Sequence, residues 1–303
     1  MRIKSLLTAG AATFALFAIS PALADGHMEA AKAETEASGP ALWKVADEDT
    51  TIYLFGTVHA LPEGIEWYDE DIANALTSSD TLVTEIRMDP ASEQAMQALA
   101  IQKSALPAGT TLRSLLSEEQ TAAYEAALAG LSIPAPAFDG LEPWMVGLTL
   151  TMLPLMKEGY SPDSGVEKVL LSKIGDKPQD ALETAEFQLG VFDTLPQDKQ
   201  VEFLMEAVDG MDEVKEMLDN MVARWVVGDA DGLAEIMNEG MDDPTIADAL
   251  LYNRNANWAE WIDARLDNTP GTVFIAVGAG HLAGEKSVQD MLEDRDIAVT
   301  RIQ

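Results

Sequence analysis

The chain has no cysteine, only three histidines and only 19 basic residues among 303. Without cysteine there can be no disulfide framework, thiol nucleophile or thiolate metal site, so a bound metal would have to be held by His, Asp, Glu or Asn. The 52 acidic residues leave a formal net charge of -33, which repels a phosphate backbone and an anionic membrane surface and excludes nucleic acid as an expected partner. Motifs are missing as well. G-x-S-x-G, G-x-x-x-x-G-K-[ST] and H-E-x-x-H do not occur, so serine-hydrolase, P-loop and zincin readings lack support. What is present is a 47% hydrophobic composition, enough to build a sizeable core.

Residues 1–24 read as a Sec-type signal peptide. Arg2 and Lys4 precede an apolar stretch ending at Ile19, and Ala22-Leu23-Ala24 supplies a small-residue cleavage site. Cleavage after Ala24 predicts a periplasmic or secreted protein without a stable membrane anchor. Residues 25–40, rich in Ala, Glu and small polar residues, predict a flexible acidic leader in which His27 is a solvated tail residue. Residues 41–303 are expected to form a single domain.

The expected fold class is α/β (α+β): a small mixed β-sheet formed from N- and C-terminal strands, with a large helical middle packed around it. Strands are predicted at LWKV and TIYLFG, joined through a DEDT turn, at Thr81–Ile86, and as a last pair at Thr272–Val277 and Ile297–Thr300. Helices are expected over Ser117–Gly130, Trp144–Gly159, Gly165–Ile174, Lys199–Val227 and Pro244–Leu266. Breaks are expected at Gly130, Pro134, Pro136, Pro162, Pro178 and Gly210. The apolar stretch Trp144–Met156 contains Pro154 and is too short to span a bilayer, so it predicts a buried, kinked helix. The helically spaced Met205, Met211, Met217 and Met221 predict core packing.

The two interior histidines stand in matching contexts, TIYLF-Gly56-Thr57-Val58-His59 and VFIAV-Gly278-Ala279-Gly280-His281. In each, an apolar strand ends in Gly-x-x-His. Glycine at a strand end lets the backbone turn sharply, and the histidine emerges at the lip of the sheet, where sites tend to form. We therefore expect both imidazoles to share one pocket. Glu85, closing the strand TLVTEIR, is the best carboxylate candidate, with Glu183 after the loop GDKPQD as a second and Arg254 in YNRN as a basic one. Two His and one or two carboxylates suit a divalent ion of the Zn, Mn or Co class that activates water, with Arg254 stabilising oxyanionic charge. Glu63 and Glu285, each four residues after a site histidine, are supporting possibilities. Gly278-x-Gly280-x-x-x-Gly284 superficially resembles a dinucleotide fingerprint, but too little chain follows it for a complete βαβ unit.

These residues resemble the TraB/GumN family, related to the Tiki proteins and more distantly to the ChaN/erythromycin-esterase-like superfamily. The resemblance rests on LWKV…TIYLFGTVHALP, the TEI strand end, LETAEFQL and YNRN…VFIAVGAGHLAGEKSVQDML, and covers about residues 41–303. It implies an α/β domain with a hydrolase-like site at His59, Glu85 and His281, with Arg254 and Glu183 as further matches, and metal-dependent peptidase activity as attributed to the Tiki branch. At Gly165-Val166-Glu167 the chain departs from the family pattern, which has Asp where Glu167 stands.

The leading expectation is thus an exported metal-dependent hydrolase of peptide bonds, with His59, His281 and Glu85 on the ion and a peptide or small molecule as substrate. Two alternatives stay open. One is a metal-independent esterase-like hydrolase with a histidine general base oriented by Glu85. The other is a non-catalytic periplasmic binding or regulatory module.

Overall fold

The computed structural model describes residues 39–238 and 244–303. The segment expected to be a signal peptide, most of the expected acidic leader and His27 lie outside them.

The two apolar runs that end in Gly-x-x-His become neighbouring parallel strands, β2 (Thr50–Thr57) and β7 (Gly271–Gly278). β1 (Leu42–Ala46) pairs antiparallel with β2 through the DEDT turn, where the Asp47 carboxylate accepts from the backbone N–H groups of Asp49 and Thr50. β4 (Thr81–Thr84) lies parallel on the other side of β7, and β6 (Gln179–Ala181) lies parallel to β4. β8 (Val299–Arg301) closes the edge beside β1, giving the order β6-β4-β7-β2-β1-β8. A separate two-stranded pair joins β3 (Leu61–Pro62) to β5 (Tyr160–Ser161).

The sheet is buried on both faces, which is why its central strands read as nearly continuous apolar runs. Phe274 and Ala276 of β7 enter one core with Phe55. Their neighbours Val273, Ile275 and Val277 enter the opposite core with Ile52 and Leu54, following the two-residue period of a strand. The first core is covered by α1 (Glu70–Ser78), α5 (Val166–Lys173), α8 (Val214–Val226) and α9 (Ala230–Asn238). The second is covered by α11 (Asn253–Asn268) and α12 (Val288–Glu293).

The helical middle wraps around α4 (Pro143–Lys157), whose sides enter two further cores. Trp144, Met145 and Leu148 meet α2 (Pro90–Lys103) and α6 (Ala185–Asp193), while Val146 and Leu150 meet α3 (Glu118–Gly130) and α7 (Gln197–Asp209). Burial on several sides accounts for the uniformly apolar stretch, and Pro154 lies inside this helix. Among the described residues no helix is long and apolar enough to cross a membrane. Met221 is buried, and Met205, Met211 and Met217 pack partly buried against these clusters.

The break expected at Gly210 divides Lys199–Val227 into two helices, α7 and α8, with the chain turning through Gly210–Glu213. Pro244–Leu266 is interrupted: α10 (Pro244–Ala247) passes through a π-helical turn at Asp248–Tyr252 before α11 begins. Of the last two expected strands, β7 sits centrally and β8 at the edge. The sheet also recruits β6 from the middle of the chain, a segment whose own pattern is too short and polar to announce a strand.

Candidate functional site

Four parallel strands, β6, β4, β7 and β2, point their C-terminal ends the same way, the end of an open α/β sheet at which ligands characteristically bind. Thr57 pairs with Gly278, so the two Gly-x-x-His turns leave the sheet side by side, offset by one residue. They touch through the first glycine: a Cβ on Gly56 would lie 3.0 Å from the Ala279 Cα, so only glycine allows this approach without displacement. Glu85 follows β4, and Glu183 follows β6, where its backbone N–H donates to the Glu85 carbonyl at 2.8 Å. Arg254 and His281 arrive from α11 and from the turn after β7. The structure thus brings His59, Glu85, Glu183, Arg254 and His281 to one sheet end. Glu63 and Glu285 are exposed.

Arg254, 1% exposed, organises most of this cluster. Its Nε donates to Glu183 Oε1 at 2.8 Å, and Nη2 donates to Glu85 Oε2 at 2.6 Å and Glu183 Oε2 at 2.9 Å. Nη1 donates to the Leu250 carbonyl at 3.1 Å and to His281 Nε2 at 3.2 Å. All five guanidinium N–H groups are therefore engaged. Glu85 also accepts from Gln188 Nε2 at 2.8 Å and, through Oε1, from the Gly278 N–H at 2.8 Å. Glu183 Oε1 accepts in addition from Trp258 Nε1 at 2.9 Å.

A guanidinium can only donate, so His281 Nε2 is an acceptor and its Nδ1 carries the proton, given to Asn255 Oδ1 at 2.6 Å. Asn255 is oriented in turn by donating Nδ2 to the Lys286 carbonyl at 2.9 Å. This network holds His281 as the neutral imidazole, its ring centre 4.2 Å from that of Trp258 with the planes tilted by 43°. Burial, and then the neighbouring Arg254 charge, keep its pKa well below 6.5. Glu85 is held ionised: burial opposes its charge, but the Arg254 charge, with help from His59 and the Gly278 N–H, outweighs it. At Glu183 burial is the larger influence and its pKa is raised.

His59 is in a different situation. Its Nδ1 lies 2.6 Å from Glu167 Oε1, and Thr57 Oγ1 donates to the same oxygen at 2.5 Å. The start of α5 is locked onto this turn, with the Val166 N–H donating to the Val58 carbonyl at 3.0 Å. A Cβ on Gly165 would fall 2.2 Å from the His59 carbonyl oxygen, so glycine is required there. Burial disfavours charge on His59, yet the coulombic and hydrogen-bonding pull of Glu167 prevails and raises its pKa from 6.5 to about 9. His59 Nε2 is buried without a hydrogen-bond partner. The charge on His59 also acts on His281 and Glu85, so the two imidazoles share one electrostatic neighbourhood.

The three expected metal ligands do not fit a resident divalent ion in this arrangement. Both His281 nitrogens are engaged, and a permanent guanidinium charge stands against both His281 Nε2 and Glu85 Oε2. Among the described residues no three His, Asp or Glu side chains are grouped to hold a metal.

Sequence reasoning did not assign Glu167, Gln188, Asn255, Trp258 or Thr57 to the site. Glu167 was visible only as a departure from the family pattern, in the spacing Gly165-x-Glu167. Asn255 and Gln188 stand inside YNRN and LETAEFQL, the segments that carry the resemblance.

Comparison with known proteins agrees with that resemblance. The chain is 24% identical over 242 residues to the uncharacterized protein YbaP of Escherichia coli, covering 79% of this chain and 87% of the relative, and matches YbaP of Shigella flexneri equally. An uncharacterized protein of Treponema pallidum is 21% identical over 274 residues, covering 84% of this chain and 80% of its own. No solved structure gives a significant match. The profile of the TraB/PrgY/gumN family matches residues 41–301, and the chain belongs to that family.

Proposed function

We propose that the protein is a hydrolase of ester or amide bonds in which the His59–Glu167 pair activates water without a resident metal. The observation that carries this reading is the asymmetry of His59: one ring nitrogen is fixed 2.6 Å from a buried carboxylate while the other is buried and unpartnered. That is the arrangement of an oriented general base. In its basic form His59 keeps a proton on Nδ1, directed at Glu167, and offers the Nε2 lone pair to water. The water proton passes to Nε2 as its oxygen adds to the carbonyl carbon. When the tetrahedral intermediate collapses, the C–O or C–N bond breaks and Nε2 returns the proton to the leaving group. Glu167 stabilises the imidazolium formed between these steps.

His281, Arg254, Glu85 and Glu183 serve a different purpose in this reading. Their donors satisfy one another, so they brace the strand ends that carry the turn of His59. The earlier alternative with Glu85 orienting the base gives way to Glu167 in that role. The signal-like segment at residues 1–24 further supports an exported enzyme; the N-terminal mass of protein recovered from a periplasmic fraction tests that.

The function is tested with a panel of activated esters and peptide anilides, comparing the unaltered protein with His59→Ala and Glu167→Gln before and after exhaustive chelation. Turnover that survives chelation and is lost in both variants is expected. Turnover abolished by chelation and restored by added Mn²⁺, Zn²⁺ or Co²⁺ would replace this reading with the metal-dependent one.

A further inference from the structure

We propose that this site takes a substrate carrying a positive charge close to the ester or amide carbonyl it hydrolyses. The inference rests on the hydrolase reading and adds the substrate's charge class.

The argument is an account of charges and donors at the sheet end. Glu85, Glu167 and Glu183 supply three carboxylates, all buried or nearly so. Against them stand Arg254 and, when protonated, His59; His281 is committed to the neutral form by its two hydrogen bonds. The cluster therefore holds an excess of one negative charge, and of two when His59 is in its basic form. The hydrogen-bonding capacity left over has the same sign. Every Arg254 N–H is engaged, as are the Trp258 indole N–H and one Nδ2 hydrogen of Asn255. Glu85 Oε1 accepts only from Gly278, and Glu183 Oε2 only from Arg254, so each retains a lone pair. An anionic group entering here would meet carboxylates and few free donors. An ammonium or guanidinium group would meet unspent acceptors and offset the excess charge, which in a low-dielectric setting counts for more than in water. The net charge of -33 acts in the same direction by concentrating cations around the whole molecule.

The test uses three p-nitrophenyl esters of similar length that carry no internal nucleophile: 4-(trimethylammonio)butyrate, 5,5-dimethylhexanoate and 4-sulfobutyrate. The cationic ester is expected to show kcat/KM at least tenfold above the neutral one, with the anionic ester lowest. Equal rates, or the reverse order, would overturn the proposal while leaving the hydrolase reading intact. Binding is measured separately, by titrating n-butylammonium and butyrate against the His59 ring resonances. Saturable shifts with the ammonium alone support the proposal; shifts with butyrate alone, or with neither, overturn it. If none of the esters is cleaved faster than by His59→Ala, the hydrolase reading falls, and the binding titration still decides the charge preference.

Discussion

Replacing Glu167 by Gln keeps the shape of the side chain and removes the charge that holds the His59 proton. In the native protein His59 titrates at about 9 against 6.5 for the free side chain. At 1.36 kcal/mol per unit this gap corresponds to roughly 3 kcal/mol favouring the charged form in the folded state. Because the folded pKa is raised, the contribution is fully present below pH 6.5, declines as pH rises, and is gone above about pH 9. The unaltered protein should thus lose roughly 3 kcal/mol of stability between pH 6 and pH 9.5 from this group, about 6–12 °C in Tm for a domain of this size. In Glu167→Gln burial and the Arg254 charge remain, so the His59 pKa is expected to drop below 6.5 and that part of the pH dependence to vanish. With three histidines in the chain, ring resonances can be assigned by single substitutions and followed from pH 5 to 10. The groups acting on His59 besides Glu167 are Glu85, which raises its pKa, and Arg254, which lowers it. A native His59 titrating at or below 6.5, or one that Glu167→Gln leaves unmoved, would refute the reasoning.

Other expectations follow from the same geometry. With His59 as the proposed base, log kcat/KM of the unaltered protein should rise with unit slope to about pH 9 and then level; a plateau already reached at pH 7 would exclude His59 as the base. Gly165→Ala places a methyl 2.2 Å from the His59 carbonyl oxygen, so urea unfolding should show a loss of about 1–3 kcal/mol, with activity falling more than stability. Arg254→Met leaves Glu85 and Glu183 buried without their cation, and a cost of about 3–5 kcal/mol is expected at neutral pH, smaller in acid where the carboxylates take up protons. Chelation followed by dialysis should leave Tm unchanged.

Much of the architecture was legible because its signals are local. The runs TIYLF and TVFIAV announce strands that need burial on both faces, and the glycine three residues before each histidine announces a turn out of the sheet. β6 was not legible, since Gln179–Ala181 becomes a strand through its parallel partner β4 and not through its own pattern. The site followed the same division. His59 and His281 stood out by their matching contexts, but their inequality did not, because it depends on Glu167 and Arg254, which approach from α5 and α11. A sequence shows that two imidazoles leave neighbouring strands; only the packing of distant helices decides which keeps a free nitrogen.

The position of β7 bears on how the protein is made. This strand fills the gap between β4 and β2, yet it lies more than two hundred residues downstream of β2. Until β7 docks, β4 and β2 present unpaired edges and the floor of the site does not exist. Contacts this distant in the chain slow assembly. They also mean that the two Gly-x-x-His turns meet only when the sheet closes around β7.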